Sequence, residues 1–91
     1  MRVVLSRRAN SDLMAQIDWL EAMSLDAAQS ARETIKDSLR ALAQFPLAGF
    51  AVGDEREWPI RFGRDGLVVV YKVLSDRVVV GRIFHSRQNR E

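Results

Sequence analysis

Three closely spaced strand patterns occupy the last third of the chain and constrain its fold more than any other feature. Runs of β-branched and aromatic residues span Trp58 to Phe62, Leu67 to Leu74 and Val78 to Phe84. The segments that separate them contain Gly-Arg-Asp-Gly and Ser-Asp, which are typical turn residues. We therefore predict a three-stranded antiparallel meander, with the rest of the chain covering one of its faces.

Alternation along the strands predicts which face is covered. Lys72 lies in the middle of its run, and an ammonium group at a strand centre belongs in water. The same test assigns these side chains to the inward face: Trp58, Ile60, Phe62, Leu67, Val69, Tyr71, Val73, Val79, Ile83 and His85. It assigns these to the outward face: Glu57, Arg61, Val68, Val70, Lys72, Leu74, Val78, Val80, Arg82 and Phe84. A bulge at Pro59 or Gly81 would turn the later side chains over.

The outward face, which we call the open face, presents one cation from each of three neighbouring strands: Arg61, Lys72 and Arg82. Long cationic side chains are also the ordinary way to solvate an exposed strand face. The same face, however, carries several valines and Phe84, which makes it too apolar to be left simply in water. We therefore predict that the open face binds a partner.

Length and residue usage limit the class of protein. With 91 residues, 47% of them hydrophobic, the chain is expected to form one domain over residues 1–91 with a single modest core. It has no cysteine and one histidine, which excludes thiolate nucleophiles and Cys-based or multi-His metal sites, so we expect no metal and no other cofactor. Without an apolar run of about 18 residues or a leader pattern, we expect a cytoplasmic protein with no membrane partner.

Positive charge is concentrated in the strand-rich part of the chain. Residues 1–54 hold six Lys/Arg against seven Asp/Glu, a net charge of −1, whereas residues 55–91 hold eight against five, a net charge of +3. With a pI near 9.7, this asymmetry favours an anionic partner, either nucleic acid or an acidic protein segment.

The first half of the chain predicts a short strand and two helices. The run from Arg2 to Leu5 suits a strand, and Ser6 is a plausible N-cap for a helix that ends at about Met23. A break at Ser24-Leu25-Asp26 precedes a second helix, which Pro46 ends. The apolar stripes of the two helices are Ala9, Leu13, Ile17 and Leu20, then Ala28, Ala31, Ile35, Leu39, Leu42 and Phe45. So short a break predicts an antiparallel helical hairpin.

Chain directions then predict the topology. If each element reverses the one before it, the first strand lies antiparallel beside the last, and the sheet order is 1-4-3-2. Pro59 agrees with this order because a residue without an N–H is tolerated in an edge strand. We predict an α+β, two-layer β-α-α-β-β-β domain with an antiparallel sheet and the hairpin on one face.

The chain resembles the toxins of type II toxin-antitoxin modules, in the RelE/ParE superfamily, and is closest to its ParE side. The matching segments are Ala9-x-x-Asp12-Leu13 with Ile17, Ala28 with Ile35, Leu42-x-x-Phe45-Pro46-x-x-Gly49, Arg56-Glu57 before Phe62-Gly63, Gly66-x-x-x-x-Tyr71, and Arg82-Ile83-Phe84-His85-x-Arg87. They occur in the family's order over nearly the whole chain. The resemblance implies the same fold, with an open sheet face.

In function, the resemblance implies a growth-arresting toxin of the kind associated with plasmid stabilization. ParE-like members are described as inhibitors of DNA gyrase, and RelE-like members as endonucleases that cut mRNA in the ribosomal A site. Antitoxins of this family wrap an acidic, partly disordered segment around the toxin, so a hetero-oligomer with a cognate antitoxin is expected. A toxin-like fold that has lost toxicity and only binds its antitoxin is a third alternative.

A nuclease would need groups that stabilise a phosphorane-like transition state and transfer protons. Arg61 and Arg82 could stabilise the charge, and His85, the one histidine in the sequence, is the candidate for proton transfer. The ribonuclease branch often places a tyrosine or a His-Tyr pair at the C-terminal end, whereas here Ser86 follows His85 and Tyr71 is predicted inward. We therefore favour a ParE-like inhibitor without catalytic activity, in which His85 caps a backbone group or fills the core edge.

The residues expected to contact a target or an antitoxin include the three open-face cations and the basic tail. They are Arg61, Lys72, Arg82, Arg87 and Arg90, together with Trp19, which lies off the main stripe of the first helix. Asp12 matches a family position, and either a partner contact or a local ion pair with Arg7 or Arg8 would explain it.

Overall fold

The computed structural model describes residues 1–62 and 65–87, with only the backbone of Asp65. Along the chain the elements are β1 (Arg2–Leu5), α1 (Arg7–Met23), α2 (Leu25–Gln44), β2 (Phe50–Val52), β3 (Glu55–Phe62), β4 (Asp65–Val73) and β5 (Arg77–His85). The strands form one sheet in the order β1-β5-β4-β3-β2, and the two helices pack on one of its faces. The predicted α+β, two-layer class is confirmed. In the described part of the chain, no helix is long and apolar enough to cross a membrane.

The sheet contains one strand more than predicted. The short strand β2 pairs antiparallel with the start of β3, which turns the predicted order 1-4-3-2 into 1-5-4-3-2. It reaches only as far as Glu57 of β3. Among the described strands, Pro59 therefore lies on a part of β3 that pairs with β4 alone. A proline is tolerated there because its missing N–H is not needed for a ladder on the other side.

The predicted orientation of the first strand is wrong, because β1 runs parallel to β5. Only Ser6 separates β1 from α1, and it fastens the start of the helix to β5. Its N–H donates to the carbonyl of Val80 at 2.9 Å, and its hydroxyl donates to the carbonyl of Gly81 at 3.0 Å. Its side chain also caps α1 by accepting from the N–H of Ala9.

The helix α1 continues in the direction of β1 instead of folding back over it. Further along α1, Asp12 bonds to Ile83, and Trp19 lines a depression together with His85. Helix and strand thus advance together from Ser6 onward, and only the α1/α2 hairpin reverses the chain before the meander. The predicted topology assumed a reversal of chain direction between β1 and α1. That reversal does not occur, which is why β1 is parallel to β5.

A β-bulge at Gly81 reverses the side-chain pattern in the first half of β5. Val70 pairs with Arg82 and Tyr71 pairs with Val80, so Gly81 has no partner of its own in the register with β4. Val78 and Val80 are consequently buried under the helices, and Val79 shares the open face with Lys72. The inward assignment of Val79 and the outward assignments of Val78 and Val80 are wrong. Beyond the bulge, Ile83 is buried as predicted.

The core lies between the sheet and the hairpin and otherwise follows the predicted stripes. Its buried members are Ala9, Ile17, Ala31, Ile35, Leu42, Ile60, Leu67, Val69, Tyr71, Val78, Val80 and Ile83. Trp58 packs against this core and donates its indole N–H to the hydroxyl of Ser38 in α2 at 2.7 Å. Phe45, predicted to extend the stripe of α2, is exposed, because α2 ends at Gln44 and Phe45 leaves the helical conformation.

Candidate functional site

The open face has an apolar centre. Val68 pairs with Phe84 and with Pro59, and Val70 pairs with Arg82 and with Glu57. Directly paired residues share a sheet face. The register therefore gives the open face these apolar members: Val4, Phe50, Val52, Pro59, Val68, Val70, Val79 and Phe84. Leu74, just after β4, lines a depression with Lys72 and Val79 of the same face.

The three cations predicted on this face do not form a straight stripe across it. Arg61 is exposed and pairs with Gly66, six residues along β4 from Lys72, which corresponds to about 20 Å of strand. Lys72 is half-exposed, and its Nζ lies 3.3 Å from a carboxylate oxygen of Asp54. The two cations thus lie toward opposite ends of the face, and one small anionic group would not touch both.

Arg82 is engaged by α1. Its Nε and Nη2 donate to the two carboxylate oxygens of Asp12 at 2.8 and 3.2 Å, and its guanidinium lies 4.6 Å from the ring centroid of Phe84. One carboxylate oxygen of Asp12 also accepts from the backbone N–H of Ile83 at 2.9 Å. We call this set, Asp12 with Arg82 and the Ile83 N–H, the β5 clamp.

The β5 clamp bonds the edge of β5 where β1 no longer pairs with it. The pairing of β1 with β5 ends at Leu5 and Val80, so the edge of β5 beyond that point lacks a strand partner among the described residues. Ser6 bonds the carbonyl of Gly81 and Asp12 accepts from the N–H of Ile83, which satisfies that edge with side chains of α1 and its cap. Of the alternatives for Asp12, the local pair with Arg7 or Arg8 is not the one observed.

Both side chains of the clamp, Asp12 and Arg82, are charged under ordinary conditions. Burial by itself would raise the pKa of Asp12, but the hydrogen bonds from Arg82 and from the Ile83 N–H outweigh it. The positive charges of Arg82 and Arg8 act in the same direction, so the pKa of Asp12 lies below its usual value. The hydrogen bond to Asp12 in turn raises the pKa of Arg82. The pair therefore stays ionised and locked unless the solution becomes acidic.

His85 and Trp19 meet at the corner where the hairpin overhangs the end of the sheet. His85 pairs with the buried Leu67 and faces the helices, as predicted. With Trp19, Leu20, Phe62 and the turn between the helices, it lines an open, mostly apolar depression of about 470 Å³. Its Nδ1 accepts from the backbone N–H of Arg87 at 3.2 Å. Trp19 is 54% exposed, which agrees with its predicted position off the main stripe.

The three groups of the nuclease alternative do not converge. Arg61 lies on the open face, His85 on the helix side of the sheet, and Arg82 is held at the edge of β5 by Asp12. Arg87 is exposed next to His85, and Arg90 lies outside the described residues. Within residues 1–62 and 65–87, no three His, Cys, Asp or Glu side chains are grouped closely enough to hold a metal ion.

Sequence reasoning missed two further cations on the open face. Arg2 of β1 pairs with Arg77 of β5 in the parallel register, next to the valine pair that shares this face. The side chain of Arg77 also bonds Asp76. The sequence pattern did not place these arginines on the open face because it predicted the wrong orientation for β1 and no bulge at Gly81. With them, cations are concentrated on the β1/β5 edge of the face.

Known proteins match this chain over nearly its whole length. The family model described as "ParE toxin of type II toxin-antitoxin system, parDE" matches residues 3–90. Two similar proteins of Caulobacter vibrioides are Toxin RelE1, 34% identical over 89 residues, and Toxin RelE3, 36% identical over 89 residues. Each alignment covers 97% of this chain, with 96% of the first relative and 97% of the second.

Proposed function

The chain belongs to the RelE/ParE superfamily of type II toxin-antitoxin toxins, and from this premise we propose that it arrests growth by binding and inhibiting DNA gyrase in the cytoplasm. A toxin of this kind has a cognate antitoxin as its partner. In the proposal, the protein acts by occupying a surface of the target and performs no chemistry of its own.

The observation that carries this proposal is the separation of the groups that RNA cleavage would need. A general acid or base and the charge stabilisers must lie within hydrogen-bond reach of one phosphodiester. Here His85 and Arg61 face opposite sides of the sheet. Arg82 would have to leave both Asp12 and the ring of Phe84 before it could contact a phosphate. Inhibition by binding needs no such convergence.

The antitoxin is proposed to cover the β1/β5 side of the open face with an acidic segment. Arg2, Lys72 and Arg77 supply positive charge there, and Val4 and Val79 supply apolar contact area. An acidic segment that orders on binding suits such a surface, because its carboxylates can pair with the cations while its apolar side chains cover the valines. Binding of this kind weakens as salt is raised.

Messenger RNA cleavage on the ribosome is the second candidate, favoured by the names of the two RelE relatives. A paired assay on antitoxin-free protein separates the candidates: supercoiling by purified gyrase, and mRNA cleavage in a translating extract. The proposal requires loss of supercoiling with intact mRNA. Cleaved mRNA with unaffected gyrase would refute it, and Arg61, Arg82 and His85 would then be the first residues to substitute.

A substitution at the clamp adds a control to the same assay. Arg82→Lys keeps the charge but not the bidentate pairing with Asp12. If the protein cleaves mRNA and uses Arg82 to do so, Arg82→Lys should cleave mRNA far more slowly than wild type. If neither supercoiling nor mRNA responds to the wild-type protein, the third alternative, a fold that only binds its antitoxin, remains as the explanation.

A further inference from the structure

Four large apolar side chains project into solvent where α2 gives way to the sheet. Phe45 is 62% exposed, Leu47 64%, Phe50 70% and Val52 53%. They lie within eight consecutive residues, and we call them the 45–52 ridge. Single exposed apolar residues are normal on a protein surface, but four within eight residues point to an interaction site.

The backbone that carries the ridge is held firmly by the sheet. The buried hydroxyl of Tyr71 donates to the carbonyl of Pro46 at 2.8 Å and accepts from the N–H of Gly49 at 3.0 Å. Arg56 donates through one Nη1 to the carbonyls of Leu47 and Gly49 at 3.1 and 3.0 Å. The turn itself is closed by the Ala48 N–H bonding to the carbonyl of Phe45.

Gly49 shows how tightly this loop is packed. A Cβ built on Gly49 would collide with the hydroxyl of Tyr71 and would lie 2.9 Å from the carbonyl oxygen of Glu57. The loop therefore approaches the sheet as closely as a backbone can. Phe45 and Leu47 are exposed although their backbone is ordered, so a partner that covers them would not have to order the loop first.

The ridge has an acidic border in a protein that is basic as a whole. Phe50 pairs with Glu57 and Val52 pairs with Glu55, which places both carboxylates on the same face as the two apolar side chains. Asp54, 84% exposed, follows in the turn. Two cations lie close to these carboxylates: Lys72, which bonds Asp54, and Arg56, which bonds the carbonyls of Leu47 and Gly49. Although the net charge of the chain is +2, the three carboxylates at this corner outnumber these two cations by one.

We propose that the 45–52 ridge docks the target enzyme, through a segment of that enzyme that offers an aliphatic or aromatic side chain beside a lysine or arginine. This inference rests on the proposed function, with gyrase as the target. The antitoxin segment, which is expected to be acidic, fits the cationic β1/β5 edge around Arg2 and Arg77 and is repelled by the border of the ridge. The antitoxin is thus expected at the β1/β5 edge of the open face and the target near the β2 edge.

Two leucines at opposite ends of α2 provide a matched test. Leu47 is 64% exposed after the end of α2, and Leu25 is 73% exposed at its start. The concentration of Leu47→Ser that inhibits supercoiling by half should be about tenfold higher than for wild type, the effect of removing an interface anchor. Leu25→Ser should inhibit like wild type. Equal inhibition by both variants would overturn the proposal.

Charge reversal at the border gives an independent test. Asp54→Lys should weaken gyrase inhibition by about threefold to tenfold, and the loss should shrink in high salt. Asp76→Lys serves as the control, because Asp76 is 64% exposed and also bonds a cation, but lies in the turn before β5. Equal losses for the two reversals would show that only net charge matters, which contradicts a local docking site.

Failure of this inference can be distinguished from failure of the proposed function. If wild-type protein does not inhibit gyrase, the proposed function fails before any variant is compared. If wild type inhibits gyrase and both Leu47→Ser and Phe50→Ser inhibit it as well as wild type does, only the ridge assignment fails. If those variants instead convert a dimer of the free protein to a monomer by sedimentation while inhibition is unchanged, the ridge binds a second copy and the proposal is wrong.

Discussion

Removing the hydroxyl of Tyr71 should destabilise the protein although its ring stays in place. Tyr71 is fully buried, and its hydroxyl satisfies the carbonyl of Pro46 and the N–H of Gly49. Tyr71→Phe leaves the Pro46 carbonyl and the Gly49 N–H without this partner, at a place where the loop packs closely against the sheet. A buried polar group left without a partner costs about 1–3 kcal/mol. The bond of the Gly49 N–H is buried and that of the Pro46 carbonyl only partly buried, so we expect a loss of about 2–4 kcal/mol in the free energy of unfolding.

Urea unfolding of wild type and Tyr71→Phe measures this loss. For a domain of this size, about 2–4 kcal/mol corresponds to a fall in Tm on the order of 10–20 °C. The matched control is Trp58→Phe, which removes one side-chain hydrogen bond, to Ser38, in a partly buried place. A loss below about 0.5 kcal/mol for Tyr71→Phe, with an unchanged dependence on urea, would refute the argument that this hydroxyl anchors the loop.

The remaining predictions concern the clamp, the glycine and the surface. Asp12→Asn should remove a part of the stability that depends on pH. Because folding lowers the pKa of Asp12, wild type has this stabilisation above about pH 4 and loses it as the pH falls further. In urea unfolding, the difference in the free energy of unfolding between wild type and variant should therefore be larger at pH 6 than at pH 3. Gly49→Ala should lower Tm through collision with Tyr71, and should cost less in a Tyr71→Phe background, as a double-mutant cycle would reveal. Arg32→Ala should change the free energy of unfolding by less than about 1 kcal/mol, because its 3.0 Å pair with Glu21 is exposed; a larger loss by urea unfolding would contradict the small value expected of a surface ion pair.

Most of the fold could be predicted because long periodic patterns are determined by local burial. The stripes of α1 and α2 and the alternation in β3 and β4 each involve many residues, so one exception does not change the outcome. The short strand β2 could not be found in this way. It has three residues, all exposed, and it exists because the loop after α2 is fastened to Tyr71 and Arg56.

The two errors that mattered for the site came from single residues. Ser6 lets α1 continue along β5 because it bonds the edge of that strand, and no periodicity records such a bond. Gly81 inserts a bulge that turns Val78 to Val80 over, which was foreseen as an alternative but could not be chosen from the pattern alone.

The role of Arg82 depended on a contact between residues far apart in the chain. The alternation correctly put Arg82 outside the core, yet its guanidinium reaches around the edge of β5 to Asp12, 70 residues earlier. The match of Asp12 and Arg82 to family positions was the one available signal for the pairing. It pointed to two important residues without saying that they bind each other.

The measurement that tests the central claim most directly is gyrase supercoiling titrated with antitoxin-free protein, with the same titration repeated after antitoxin is restored. The account predicts that supercoiling falls as the protein is added and that antitoxin reverses the effect. Supercoiling that is unaffected at concentrations that still arrest growth when the toxin is expressed would contradict it.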